Sequence, residues 1–121
     1  MEKPATRLDI RQADGRTAII DIRGDVTAAS ESVLMSAYEE AARQGARRLV
    51  LNFSGLEYMN SGGIGMLVTM LVRANRHNRQ LAAFGLSDHY REIFDITRLS
   101  DFIQVFGDLD AAVSQLAGPA A

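Results

Sequence analysis

A serine lies among three glycines at the point where a buried-strand pattern gives way to an apolar, helix-like pattern. The stretch reads YMNSGGIGMLVTML, from Tyr58 to Leu71, with the serine at position 61. A serine among glycines at a helix start can have four roles: part of a glycine loop that binds a phosphate, a catalytic nucleophile, a regulatory phosphorylation site, or part of a tightly packed helix end. The rest of the chain discriminates among them.

A phosphate-binding loop is disfavoured by what surrounds the glycines. The GIG sequence at 63–65 resembles the start of a dinucleotide-binding motif, but Val68 occupies the position of the third glycine. The next predicted strand ends in GL, at 85–86, rather than in the acidic residue that would hold a ribose. A Walker-type loop needs a lysine and then a serine or threonine after its last glycine, and neither is present. We therefore expect no nucleotide cofactor at these motifs.

A nucleophilic serine needs a general base, and the two histidines, His77 and His89, are poor candidates. A helix rises about 1.5 Å per residue, which puts His77 roughly two dozen ångströms from Ser61 on the same helix. His89 follows an aspartate and is typical of a solvated helix start. No acidic or histidine residues recur at metal-ligand spacing, and cysteine is absent. The pattern predicts a protein that is not an enzyme and that uses no cofactor or metal.

The composition is that of an ordinary globular domain. Of 121 residues, 47% are hydrophobic and 23% are charged, and the formal net charge is −2 with no block of basic residues. We therefore expect no nucleic-acid partner. No apolar run approaches the length of a membrane span, and the first ten residues lack a signal-peptide core. These features predict a cytoplasmic protein without direct membrane insertion.

The elements that must position the serine form an alternating pattern. Strands are expected over 8–12, 17–23, 48–53, 80–85 and 102–106, and helices over 27–44, 61–78, from 87 onward and over 108–116. The first two strands flank Asp14-Gly15, a strong hairpin signal. The fold class is therefore α/β, a single domain with a mixed, mainly parallel sheet of about five strands and about four helices. Residues 7–117 form the domain, with loose ends at 1–6 and 118–121.

Local signals set the expected boundaries. Thr27 and Ser87 are predicted helix caps, Gly45 is a predicted helix terminator, and Gly24 is expected to break the second strand. The SGLEY stretch at 54–58 is expected to be a turn. Ser61 is the predicted N-cap of its helix. Two helix faces are expected to point inward: Val33, Leu34, Ala37, Tyr38 and Ala41 on the first helix, and Ile64, Leu67, Val68, Leu71 and Val72 on the second.

The segment LNFSGLEYMNSGGIGMLVTML resembles the signature of the STAS domain, the sulfate-transporter and anti-sigma-factor-antagonist family. That signature is a buried strand, a turn, and then Asp-Ser-Ser/Thr-Gly-Leu-Gly opening an apolar helix. The likeness covers nearly the whole chain: IRGDVT resembles the family's stretch before its first helix. The segment from LAAFG to DAAV resembles its last strands and helices. The resemblance implies a STAS-like fold.

The resemblance also implies a function. In stand-alone members, a serine after the acidic residue is phosphorylated by an anti-sigma factor, itself a serine kinase of the histidine-kinase-like ATPase type. Here Asn60 stands at the acidic position, Ser61 at the phosphoacceptor and Gly62 at the second hydroxyl position. Unphosphorylated protein would bind the anti-sigma factor and release a sigma factor, and a serine phosphatase would reset the phosphorylated form.

The partner-binding surface that this implies lies around the start of the serine helix. Its expected members are Gly24, Asp25, Thr27, Met59, Asn60, Ser61, Gly62 and Gly63. Asn60 lacks the carboxylate of the family pattern, and Thr27 replaces an aspartate that is common there. The alternative interpretation is a STAS subunit of a transporter or signalling scaffold that is never phosphorylated.

Overall fold

The computed structural model describes residues 6–116, and the side chains of 6–115. Within this range the strands are β1 Thr6–Asp14, β2 Thr17–Val26, β3 Arg48–Met59, β4 Gln80–Phe84 and β5 Gln104–Phe106. The α-helices are α1 Glu31–Arg43, α2 Ser61–Arg76, α3 Asp88–Ile96 and α4 Leu109–Leu116, with short 3₁₀ turns at Ala28–Ser30 and Leu99–Asp101. This confirms the predicted α/β fold.

The five strands form one sheet in the order β1-β2-β3-β4-β5. The hairpin strands β1 and β2 pair antiparallel, and every other neighbouring pair is parallel. The hairpin turn is held by the Asp14 carboxylate, which accepts a hydrogen bond from the Arg16 backbone N–H at 2.8 Å. That bond keeps the pKa of Asp14 below its usual value. The mixed, mainly parallel sheet predicted from the sequence is therefore confirmed.

The predicted ends of β2 and β3 are wrong, and for one reason. Gly24 does not end β2: it adopts a positive φ of 86° at an irregularity in the pairing, and the strand continues to Val26. Residues 54–58 are not a turn, because β3 runs on to Met59 beside this second half of β2. The long β2–β3 pairing carries the chain directly to the start of α2.

The core lies mainly on the face of the sheet covered by α1, α2 and α3, while α4 packs on the opposite face. Alternating residues of β2 divide between the faces: Ile20 and Ile22 join the larger cluster, and Ile19 joins the smaller one. The predicted inward faces need correction at three positions, because Val33, Val68 and Val72 are 39%, 42% and 47% exposed.

The predicted helix caps are largely confirmed. Ser87 accepts a hydrogen bond from the Tyr90 N–H at the start of α3, and Gly45 follows α1 with a φ of 94°. Thr27 caps the 3₁₀ turn that leads into α1, rather than α1 itself. Thr6, predicted to lie in the loose N-terminus, is the first residue of β1. The remaining predicted loose ends, 1–5 and 118–121, lie outside the described residues.

A buried carboxylate ties the hairpin to the rest of the sheet. Asp21 accepts two hydrogen bonds from the Arg11 guanidinium, at 2.7 and 2.9 Å, and one from the Asn52 amide at 2.7 Å. Burial acts to raise the pKa of Asp21, but the bonds from Arg11 and Asn52 outweigh it and hold the pKa below its usual value. The ionised form is therefore the one that the folded protein stabilises.

Asp21→Asn is expected to lower the free energy of unfolding by about 1 to 2 kcal/mol at pH 7. The effect is no larger because Arg11 is exposed and solvent screens its ion pair with Asp21. A lowered folded-state pKa gives stability that is present above the unfolded value, about 3.9, and is lost as pH falls through the folded value. Urea unfolding at pH 7 and pH 3 should show the deficit shrinking at the lower pH. An equal deficit at both would contradict this role.

Candidate functional site

The serine helix starts at the edge of the sheet where the parallel strands end. The Asn60 N–H donates to the Val26 carbonyl oxygen at 3.3 Å, which joins the residue before α2 to the end of β2. The carboxyl ends of β2 and β3 therefore place two segments side by side, 24–28 and 58–63. Ligands and partners of open α/β sheets commonly bind at this kind of edge.

The N-cap of α2 is Asn60 and not Ser61, so the predicted cap is wrong. Asn60 has extended backbone angles, and its side-chain oxygen accepts a hydrogen bond from the Gly63 N–H at 3.0 Å. Asparagine and serine are comparably good caps, and the residue that remains extended takes the role. Ser61 is consequently the first helical residue. Its side chain is exposed, and its hydroxyl makes no hydrogen bond within the described part of the chain.

The electrostatics around Ser61 favour a negative charge. The first N–H groups of a helix have no acceptor inside the helix, and the macrodipole adds partial positive charge there. The first turn of α2 contains no acidic residue, and its basic residues Arg73 and Arg76 lie in the last turn. An anion attached at Ser61 would therefore meet unpaired donors and no adjacent helix carboxylate.

Gly62 and Gly63 are explained by packing. A Cβ on Gly63 would lie 2.2 Å from the Val26 carbonyl oxygen, and one on Gly62 would lie 2.8 Å from the Ala28 nitrogen. Both distances are shorter than real Cβ contacts allow. Because these two residues have no side chain, α2 can approach the end of β2 closely. This close packing explains why the first turn of α2 contains glycine, although glycine destabilises a helix.

Gly65 has no such explanation. A Cβ built at this position would meet no atom within 4 Å beyond the helix itself, and the residue is exposed. Glycine inside a helix costs up to about 1 kcal/mol relative to alanine. Since Gly65 lies one helical turn after Ser61, the bare backbone is available on the same face as the serine.

Two of the expected surface residues lie beneath the surface. Met59 is only 5% exposed, and its backbone N–H donates to the Tyr90 hydroxyl at 2.9 Å. Gly63 is also buried, against Val26. Both residues hold α2 in place and do not form the surface themselves, because the end of β3 turns Met59 toward the core.

The segment at the end of β2, residues 24–28, contributes Gly24, Asp25 and Thr27 to the surface, and all three are half-buried. The Asp25 carbonyl oxygen accepts hydrogen bonds from the Thr6 and Ser30 hydroxyls. The Asp25 carboxylate makes no hydrogen bond or ion pair with any described residue. Its neighbour on β3 is Tyr58, 49% exposed, a residue missing from the surface expected from the sequence. The signal in the sequence that could have identified it is an aromatic residue three positions before the predicted serine, because aromatic residues are enriched at protein interfaces.

A further exposed apolar surface extends from Ser61 along α2. Val68 and Val72 follow at helical spacing on the exposed side, and Phe102, 63% exposed, faces them across a groove of about 300 Å³. We call this the α2 groove; it is lined by Val68, Leu71, Val72, Asn75, Thr97, Arg98, Leu99 and Phe102. Exposed apolar residues that cluster in this way are typical of protein contact surfaces.

The histidines take no part in the serine site. The His77 ring nitrogen lies 2.9 Å from the Arg73 carbonyl oxygen at the far end of α2, and His89 packs edge-on against Tyr90. Within residues 6–116 there is no group of three or more potential metal ligands. Among the helices of the same residues, none combines the length and the apolar character that a membrane span requires. The serine site thus consists of an exposed hydroxyl, a helix end and an adjoining strand end.

Comparisons with known proteins agree with this arrangement. The family model described as "Mlab, STAS domain" matches residues 11–107. An anti-sigma-B factor antagonist of Staphylococcus aureus strain NCTC 8325 is 33% identical over 63 residues, 52% of this chain and 58% of the relative. The chain thus spans little over half of that relative's length. The anti-sigma-B factor antagonist of Listeria monocytogenes is 28% identical over 98 residues, 81% of this chain and 86% of the relative.

Solved structures show the same fold. The Bacillus cell fate determinant SpoIIAA in its phosphorylated form superimposes with a TM-score of 0.70, at 14% identity over 91% of this chain and 99% of that one. The unphosphorylated form of the anti-sigma factor antagonist SpoIIAA gives 0.72, at 16% identity over 93% and 99% of the two chains. At such identities the likeness establishes the fold alone.

Proposed function

The chain belongs to the STAS-domain family, and on that premise we propose that it is an anti-sigma factor antagonist, a binding protein rather than an enzyme. Its unphosphorylated form binds an anti-sigma factor and so frees a sigma factor. The bacterial relatives, which are anti-sigma-B factor antagonists, support this assignment. The exposed surface at the start of α2 supports a protein partner in place of a small-molecule substrate.

The contact surface that we assign to the partner combines the two segments at the sheet edge with the exposed side of α2. Its members are Gly24, Asp25, Thr27, Tyr58, Asn60, Ser61, Gly62 and Gly65, with the α2 groove continuing it. Met59 and Gly63 support it from beneath. An exposed aromatic residue, polar groups and bare helix backbone together suit a protein interface.

The observation that carries the regulatory part of the proposal is the free Ser61 hydroxyl. Because Asn60 supplies the cap, Ser61 can be modified without removing a hydrogen bond that the helix start needs. A phosphate there adds about −1.5 to −2 charges to the positive end of α2, where the helix tolerates it. The same charge inside a protein contact requires desolvation and repels acidic groups of the partner.

The switch has two steps. The anti-sigma factor, acting as a serine kinase of the histidine-kinase-like ATPase type, transfers the γ-phosphoryl group of ATP to the Ser61 oxygen. ADP leaves and the hydroxyl proton is released. A serine phosphatase then hydrolyses the phosphoester with water, which returns the hydroxyl and releases phosphate. Asn60 leaves the kinase without a carboxylate beside the acceptor, so recognition must rely on the neutral amide and the glycine backbone.

An affinity capture from source cells tests the proposal, with wild type, Ser61→Ala and Ser61→Asp as baits. We expect an ATPase-type kinase to be captured by the first two and lost with the third. Identification of the captured proteins by mass spectrometry reads out the result. If all three baits capture one set of transport proteins, the alternative is correct and the chain is a structural subunit.

Gly65→Ala offers a second test of the surface. The substitution should raise the free energy of unfolding by up to about 1 kcal/mol, since alanine favours the helix and meets no neighbour. We expect it nevertheless to weaken partner binding about tenfold, because a partner that approaches the bare backbone would meet the new methyl group. Gly107→Ala, in equally open space away from α2, is the control. Unchanged affinity for Gly65→Ala would remove α2 backbone contact from the proposal.

A further inference from the structure

Four arginines gather at the opposite end of the sheet from Ser61. Arg16 precedes β2, Arg47 and Arg48 stand at the start of β3, and Arg79 precedes β4. They line one cavity of about 560 Å³. The chain as a whole carries a net charge of −2, so this concentration of positive charge is a local feature.

The sheet register and the backbone fix this cluster in place. Thr17, Arg48 and Gln80 stand side by side in the parallel pairing, which puts the residues before them together. The Arg16 carbonyl oxygen accepts hydrogen bonds from the N–H groups of Arg47 and Arg48, at 2.7 and 3.0 Å. The Gln80 N–H donates to the Arg47 carbonyl oxygen at 2.9 Å. The three strand starts are thereby tied into one frame.

Within the described residues, none of the four arginines has a carboxylate partner at ion-pair distance. The Arg79 guanidinium donates to the Ala46 carbonyl and the Tyr38 hydroxyl, and Arg47 donates to the His77 carbonyl. The Nε atom of Arg48 is buried without an acceptor among those residues. The hydrogen bonds that the structure gives these guanidinium groups therefore go to neutral acceptors, and the four arginines that line the cavity carry positive charge that no described carboxylate pairs.

The neighbouring groups add donors and little negative charge. The side-chain amides of Asn75, Asn78 and Gln80 complete the cavity lining. The pKa of the Asp14 carboxyl is lowered mainly by the hydrogen bond from the Arg16 N–H and, to a smaller extent, by the positive charge of Arg48. Four arginines and no carboxylate residue line the cavity, so it keeps an excess of positive charge.

We propose that this cavity binds an oligophosphate, an anion that carries two or more linked phosphate groups. Each guanidinium group has five N–H donors, and the internal hydrogen bonds use only two on Arg79 and one on Arg47. Donors therefore remain that match phosphate oxygens, and the amide residues of the lining add further donors. The cavity volume lies in the range of small-molecule sites, which is large enough for a phosphate chain. Because arginines and amides form the lining, with no apolar side chain among them, the phosphate groups themselves are what is recognised.

This site is separate from the serine site. The arginines lie at the amino ends of β2, β3 and β4, whereas Ser61 lies beyond the carboxyl end of β3. The glycine motif of the sequence, which lacks the marks of a phosphate loop, plays no part in it. Oligophosphate binding at this cavity does not depend on the proposed function, and disproof of either would leave the other unaffected.

Isothermal titration with inorganic tripolyphosphate tests the proposal, with orthophosphate and ATP as comparison ligands. We expect saturable one-to-one binding of tripolyphosphate, weaker binding of orthophosphate, and ATP comparable to tripolyphosphate. Arg16→Gln and Arg47→Gln should each weaken binding about tenfold, and the double variant further. Arg16 and Arg47 are exposed, so both variants should fold, which circular dichroism checks.

Arg91→Gln is the matched control, because it removes the same charge from an exposed helix position outside the cavity. Equal weakening by Arg91→Gln would show a general charge effect and overturn the proposal. Binding of ATP without any binding of tripolyphosphate would overturn it as well, since the phosphate chain would then not be the recognised group. Co-sedimentation with vesicles of anionic phospholipid, without saturable tripolyphosphate binding, would reassign the cluster to a membrane surface and also overturn it.

Discussion

Gly63→Ala is expected to lower the free energy of unfolding by about 3 kcal/mol, the largest stability change that we predict for a single methyl group in this chain. The added Cβ would lie 2.2 Å from the Val26 carbonyl oxygen and 2.9 Å from the Met59 Cγ atom. Backbone atoms cannot give way as a flexible side chain does, so α2 must shift from the end of β2. Overpacking of this kind costs about 1 to 3 kcal/mol and occasionally more.

Gly65→Ala is the matched control, because it adds the same methyl group two residues later in the same helix, in open space. Urea unfolding of the two variants should give shifts of opposite sign: Gly63→Ala less stable than wild type and Gly65→Ala more stable. Equal changes in the free energy of unfolding would mean that helix propensity alone determines the effect at both positions. The close approach of α2 to Val26 would then be wrong.

Ser61→Asp is expected to weaken binding to the anti-sigma factor at least about 100-fold, which corresponds to about 2.7 kcal/mol. The carboxylate would stand in the middle of the proposed contact, where a charge loses its hydration and repels acidic groups of the partner. It should not unfold the protein. An acidic residue in the first turn of α2 is favoured by the helix dipole, by about 0.3 to 1 kcal/mol.

Ser32→Asp separates an effect of position from an effect of charge. Ser32 is exposed in the first turn of α1, so the same substitution gives the same net charge and a similar helix-dipole gain away from the serine site. Titration calorimetry should show wild-type affinity for Ser32→Asp and for Ser61→Ala. A loss of affinity with Ser32→Asp equal to that with Ser61→Asp would show that overall charge, and not the serine site, governs binding.

The parts of the fold that could be predicted from the sequence are those set by short-range signals. The Asp14-Gly15 turn, the Gly45 helix end and the Ser87 cap each depend on a few neighbouring residues. Together with the alternation of apolar segments, they were enough to predict a mixed, mainly parallel sheet. The place of Ser61 at the start of an apolar helix followed from the same kind of pattern.

The parts that could not be predicted depend on pairing between distant segments. The extension of β3 to Met59 exists because the second half of β2 lies beside it, which no local pattern shows. Asn60 and Ser61 are adjacent and both favour capping, so only the path of the chain past Val26 decides between them. Helical spacing likewise could not show that Val68 and Val72 face outward, since a wide apolar stripe has no unique centre.

The arginine cavity is the clearest case of this kind. Its arginines lie about thirty residues apart in three groups, and none of these groups is a basic run. Composition therefore gave no sign of a charged site. Parallel strands in register place their starting residues at one edge, so the cluster emerges only once the sheet is assembled.

The most direct test of the switch is to install phosphoserine at position 61 and measure its affinity for the captured anti-sigma factor beside that of the unmodified protein. We predict tight binding of the unmodified protein and at least about 100-fold weaker binding of the phosphorylated one. Both forms should keep the same circular dichroism spectrum. Equal affinity of the two forms for the partner would contradict the switch and leave Ser61 as an exposed residue of a constitutive interface.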